Sequence, residues 1–146
     1  MSEALGAIAS IATAVAVFLA WWQIREARQQ TITGFEDGLA REYREIAQNI
    51  PVAALLGDEL QEAEYTAALD DFYHYIDLSN EQVFLRQRGR VRKETWANWR
   101  DGIKSNLSRP AFRAAWELIK RKASGSFEEL RRLEAEGYST DPHDWR

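Results

Sequence analysis

The chain has 146 residues, 19 of them basic and 23 acidic, for a net charge of −4, and it contains no cysteine. That is room for one compact domain, and it excludes a disulfide scaffold and any thiol chemistry. Charged residues at 29% and aromatic residues at 12% exclude a disordered tail.

Residues 4–24, ALGAIASIATAVAVFLAWWQI, run 21 positions without a formal charge, between Glu3 and Arg25. As a helix they would measure roughly 30 Å, about the hydrocarbon thickness of a bilayer. The expectation is an uncleaved transmembrane anchor over residues 1–24, with Trp21, Trp22, Arg25 and Arg28 at the membrane interface. A signal peptide is one alternative, but Met1-Ser2-Glu3 supplies no positive n-region. A helix buried in a soluble oligomer is another, because seven alanines leave the stretch only moderately apolar. Arg25, Arg28, Arg41 and Arg44 follow the span and nothing basic precedes it. This predicts a single-pass inner (cytoplasmic) membrane protein, N-terminus out and C-terminal domain cytoplasmic. Gly6, Ser10 and Ala14 recur every four residues, as do Ala12 and Ala16, a spacing that lets helices approach closely.

Past Trp22, QIREARQQ favours helix, and Thr33-Gly34 predicts a break. Phe35, Leu39, Tyr43, Ile46 and Ile50 then mark one face of an amphipathic helix. Pro51 stops it, and VAALLG reads as a short apolar turn closed by Gly57. A long helix is expected from Asp58 or Glu59 to about Arg88, burying Tyr65, Leu69, Phe72, Ile76 and Val83. Beside that stripe stand Asp70, His74, Asp77 and Glu81, ligand types for Zn²⁺ or hard cations. No second Glu-x-x-His or companion carboxylate set stands elsewhere, so the expectation is a solvated acidic face with no metal and no cofactor.

Charge is strongly segregated. Residues 36–77 carry eleven acidic and two basic side chains, and residues 86–122 carry twelve basic and three acidic. Arg86, Arg88, Arg90, Arg92 and Lys93 concentrate five positive charges around Gly89 and are the candidate partner- or lipid-binding residues. Trp96, Trp99 and Ile103 share a side of the next helix. Arginines interleaved with tryptophans suit single-stranded nucleic acid or anionic lipid; a core role for the indoles and pairing of the arginines with the acidic segment is the alternative. Ser108 and Pro110 predict a helix start, with Phe112, Ala115, Trp116 and Ile119 buried. Ser126 to Glu129 reads as a capping box, and YSTDPHDWR as an aperiodic tail.

The run YIDLSNEQVFLRQRGRVRKETWANWRDGI, followed by RPAFRAAWELI, resembles a set of uncharacterised bacterial proteins with an N-terminal membrane helix and a small helical domain. Asn80-Glu81, Gly89-Arg90-Val91, Trp96, Trp99, Pro110 and Trp116 carry the resemblance. It implies a fold and a placement, and no activity, cofactor or functional residue.

The expectation is thus all-α: a single transmembrane helix (1–24), a small antiparallel helical bundle in the cytoplasm (25–137) and a polar tail (138–146). No phosphate loop, HExxH or cysteine nucleophile is present, so the protein is expected to be no enzyme. It is expected to be a membrane-anchored interaction or accessory domain. The alternative is a tethered sensor binding anionic lipid or nucleic acid through residues 86–93. Expected partners are membrane lipids and another membrane protein or a second copy in a homo-oligomer; nucleic acid is not expected.

Overall fold

A computed structural model describes residues 2–145, with side chains from Thr13 onward. Its described residues form seven α-helices and one 3-10 turn, with no strand among them. The helices are α1 (Ser2–Asn49), α2 (Val52–Leu56), α3 (Glu62–Ala67), α4 (Leu69–Gln87), α5 (Lys93–Ser108), α6 (Pro110–Lys122) and α7 (Glu128–Ala135), before a 3-10 turn at Pro142–Asp144.

The membrane span expected over residues 4–24 is overturned: among the described residues, no helix is long and apolar enough to cross a membrane. Residues 4–12 of that stretch lie outside the described side chains, and the described part, Thr13 to Ile24, is too short on its own to cross a bilayer. The single-pass topology and the inner-membrane placement fall with the span. The membrane-interface role of Trp21, Trp22, Arg25 and Arg28 loses its premise. The spacings that start from Gly6, Ser10 and Ala12 involve side chains outside the described residues.

Thr33-Gly34 does not break α1. A lone glycine inside a helix costs only about 1 kcal/mol. The Thr31 and Thr33 hydroxyls donate to the carbonyls of Ala27 (2.8 Å) and Gln29 (3.0 Å) along the same helix. Contacts divide the chain into two units, Met1–Phe35 and Glu36–Arg146.

Within the second unit, α4 is central and packs on α5, α6, α7 and the 3-10 turn, while α6 also meets α5 and α2. Of the expected stripe, Phe72, Ile76 and Val83 are buried while Tyr65 and Leu69 are half-buried, and Tyr75, Leu78, Ser79, Gln82 and Leu85 are buried as well. Neighbours on several sides remove more of this helix from water than one stripe requires. The long helix expected from Asp58 or Glu59 starts later, at Glu62, with Gln61 as N-cap in a capping box with Glu64, and it is interrupted at Ala68. Phe112 anchors the core edge-on to Phe72 (4.9 Å) and Tyr75 (5.0 Å). Such aromatic geometry is worth about 1 kcal/mol beyond area burial.

Two helix starts differ from the sequence reading. Ser108 is the last residue of α5, and Arg109 precedes Pro110 as the N-cap of α6. Phe127, in the left-handed region at φ 61°, is the N-cap of α7 and supplies no side-chain cap. The cap comes from α4 instead. Asn80 Oδ1 accepts from the Leu130 backbone N–H at 3.0 Å, and its Nδ2 donates to Glu129 at 3.1 Å. Asn80→Ala removes both bonds and should cost about 1 to 2 kcal/mol. Thermal unfolding of the variant checks this; an unchanged midpoint would exclude the cap.

The 3-10 turn at Pro142–Asp144 packs on α4. Pro142 is fully buried, the indole of Trp145 donates to Glu136 at 3.1 Å, and Arg132 lies 4.5 Å over the Trp145 ring.

Candidate functional site

The five basic residues expected to face a partner divide among different roles. Arg86 is 8% exposed. Its Nε and Nη2 form a two-pronged pair with Asp141 at 2.8 and 2.6 Å, and its Nη1 donates to the Val91 carbonyl at 2.8 Å. The Arg86 guanidinium holds the Asp141 carboxyl below the usual carboxylate range. The hydrogen bonds that Arg86 donates to Asp141 raise the guanidinium further above its ordinary value, against the effect of burial.

Arg92 takes part in a second internal pair. Glu36 is 4% exposed; its Oε1 accepts from the Arg92 backbone N–H at 2.7 Å. Its Oε2 accepts from Arg92 Nε (2.9 Å), Arg92 Nη2 (2.6 Å) and Thr95 Oγ1 (2.8 Å). The carboxylate therefore sits at the N-terminus of α5, where unpaired N–H groups and the helix dipole favour negative charge. Burial works to raise its pKa, but the Arg92 and Thr95 hydrogen bonds outweigh it and hold it low.

Arg88, Arg90 and Lys93 are exposed, and the Arg88 guanidinium lies 5.1 Å from the centre of the Phe84 ring. Gly89, at φ 68°, turns the chain after α4 and presents this stretch on the surface. Part of the charge that a polyanion would need is thus committed inside the fold. Trp96, 1% exposed, is core, and Trp99 is half-buried.

Asp70, His74, Asp77 and Glu81 are all exposed on α4. Among the described residues, no three histidine, aspartate or glutamate side chains converge to hold a metal ion. Partial desolvation by the neighbouring helix surface, with Glu42 and Asp77 nearby, raises the carboxyl of the otherwise exposed Glu81 above its ordinary value.

In the first unit, Val15, Val17, Phe18, Leu19, Trp21, Trp22 and Ile24 are each more than half exposed. Phe18 lies 6.0 Å from Trp21 and 6.5 Å from Trp22, ring centre to ring centre. The Arg25 guanidinium lies 5.4 Å over Trp21. These intrahelical contacts order the aromatic side chains and leave their outer surfaces bare.

Sequence reasoning missed Glu36, Asn80 and Asp141 as the polar anchors of the fold. Only Asp141 carried a local signal: Asp-Pro favours a turn, and Asp141 Oδ1 accepts from the His143 N–H at 3.1 Å. No family model matches the chain, and no curated protein or solved structure matches it.

Proposed function

We propose that the protein is a non-catalytic helical interaction module that assembles with copies of itself through residues 15–24 of α1. The observation that carries this reading is the exposure of seven large apolar side chains within ten residues. Surface that apolar is abnormal on a free monomer and marks an interaction site. Val15, Phe18 and Trp22 form one row along the helix, and Val17, Trp21 and Ile24 a second. At 3.6 residues per turn the rows lie roughly 120° apart. One partner helix covers little more than one row, so a dimer would leave the other wet. The expected assembly therefore has three or more chains, with each helix touching two neighbours.

Light scattering on the full chain at micromolar concentration should give at least three times the monomer mass. Trp21→Glu with Trp22→Glu places a charge in each row and should return the monomer. A monomeric full-length chain would overturn the proposal, as would association that the double variant leaves intact. Partition of the chain into neutral lipid vesicles in place of self-association would also overturn it.

A further inference from the structure

A groove of about 280 Å³ lies within the second unit, between the end of α1, α4 and α5. It is distinct from both the basic run and the apolar rows of α1. Its walls include the half-buried rings of Tyr43 and Trp99 and the buried ring of Tyr75. Tyr43 meets Tyr75 edge-on at 6.1 Å. The hydroxyl of Tyr75 accepts a hydrogen bond from Asn106 Nδ2 at 3.0 Å, which fixes that side of the groove.

Two polar groups of the lining have no internal use. Gln82 is only 6% exposed, yet its carboxamide makes no hydrogen bond to any described residue. Its amide atoms are not sealed from water, unlike the buried indole nitrogens of Trp96 and Trp116, so a ligand bearing a donor or an acceptor can take the place of water there. Arg44 lines the same groove, is exposed, and has no ion pair with any described residue. Aromatic walls with a few convergent polar groups are the usual make-up of a small-molecule site. At Gly102, on α5, an added Cβ would meet nothing within 4 Å. The missing side chain is therefore space in the groove and is not demanded by packing.

We propose that this groove binds a small planar aromatic carboxylate. The ring lies against Tyr43 and Trp99, a polar atom of the ligand pairs with the Gln82 carboxamide, and the carboxylate meets the Arg44 guanidinium. The volume suits a ligand of about ten to fifteen non-hydrogen atoms. A free carboxylate is favoured over a neutral ring because Arg44 is a fork of donors with no anion of its own. This site does not depend on self-association.

The test is a calorimetric titration of the full chain with 2-naphthoate, and separately with neutral 2-naphthylmethanol. The naphthoate should bind in the micromolar range and more tightly than the alcohol. Arg44→Gln should weaken the naphthoate roughly tenfold and leave the alcohol unchanged. Gln82→Leu should weaken both ligands, and Gly102→Leu should abolish binding of both. Gly102→Ala is the folding control, because it should leave the melting temperature equal or higher. Trp21→Glu with Trp22→Glu should leave the titration unchanged, which separates this site from the apolar rows. No binding at millimolar naphthoate would overturn the proposal. So would binding that survives Gly102→Leu in a folded variant, or that disappears with the α1 double variant.

Discussion

Asp141→Asn should destabilise the protein by about 3 kcal/mol, because it strands the Arg86 guanidinium in the fold. The two side chains are 9% and 22% exposed, and breaking such a buried pair from one side typically costs about 3 to 5 kcal/mol. Replacing both partners should cost less than replacing one, since Arg86→Met with Asp141→Asn leaves no buried charge unpaired. Denaturant unfolding of the single and double variants measures the difference. The wild-type pair also sets an acid limit. The Asp141 pKa is lowered from an ordinary value of 3.8, so the folded state binds its proton less readily than the unfolded chain. Its stabilisation is fully present above about pH 4 and is lost as pH falls through the depressed folded value. Asp141→Asn should flatten that part of the stability profile. An Asp141→Asn variant as stable as the wild type would show that the C-terminal segment does not dock on α4.

Glu36→Ala is the second large effect, and its mark is an asymmetry. The carboxylate serves the Arg92 backbone N–H, the Arg92 guanidinium and the Thr95 hydroxyl together. Its loss leaves a backbone donor and a hydroxyl without their acceptor, at about 2 kcal/mol or more. Arg92→Ala, by contrast, removes a side chain that is 44% exposed and keeps the helix-capping carboxylate in place. Its loss of stability should be much the smaller. Glu36 is also held below the ordinary carboxylate range; this contribution, too, is present above about pH 4.5 and fades as pH falls further. Equal losses for Glu36→Ala and Arg92→Ala would mean that the ion pair, and not the capping of α5, carries the effect.

Local chemistry was legible in the sequence. Pro51 and Gly57 bracket α2, and Gly57 takes the left-handed conformation at φ 94° that closes it. The stripe of Phe112, Ala115, Trp116 and Ile119 on α6 is buried as its spacing requires. Long-range polar pairing was legible only between segments: pairing of the arginines with the acidic residues 36–77 was an open alternative, and Glu36 with Arg92 is such a pair. The individual partners were not legible, Glu36 and Arg92 lying 56 positions apart and Arg86 and Asp141 55 apart. Periodicity assigns such residues to solvent because it cannot register a partner on another element. The same limit hid Asn80, which reads as a polar residue within a helix until α7 is folded against it. The apolar run of α1 was visible as a run of the right length, but among the described residues no helix is long and apolar enough to cross a membrane. Gln82 carries no signal of its own, because its meaning depends on the groove made by α1 and α5.

The claim that residues 15–24 join copies of the chain is tested most directly by cysteine cross-linking. The protein has no cysteine, so single cysteines placed from Thr13 to Ile24 in the full chain report only the contacts they make themselves. Oxidation should produce covalent dimers most readily on the two rows: Val15→Cys, Phe18→Cys and Trp22→Cys on one, Val17→Cys and Trp21→Cys on the other. Ala16→Cys and Ala20→Cys, on the face of the helix away from both rows, should lag behind, giving a yield that oscillates with the helical repeat. A yield that is low at every position, or that shows no helical period, would contradict the assembly.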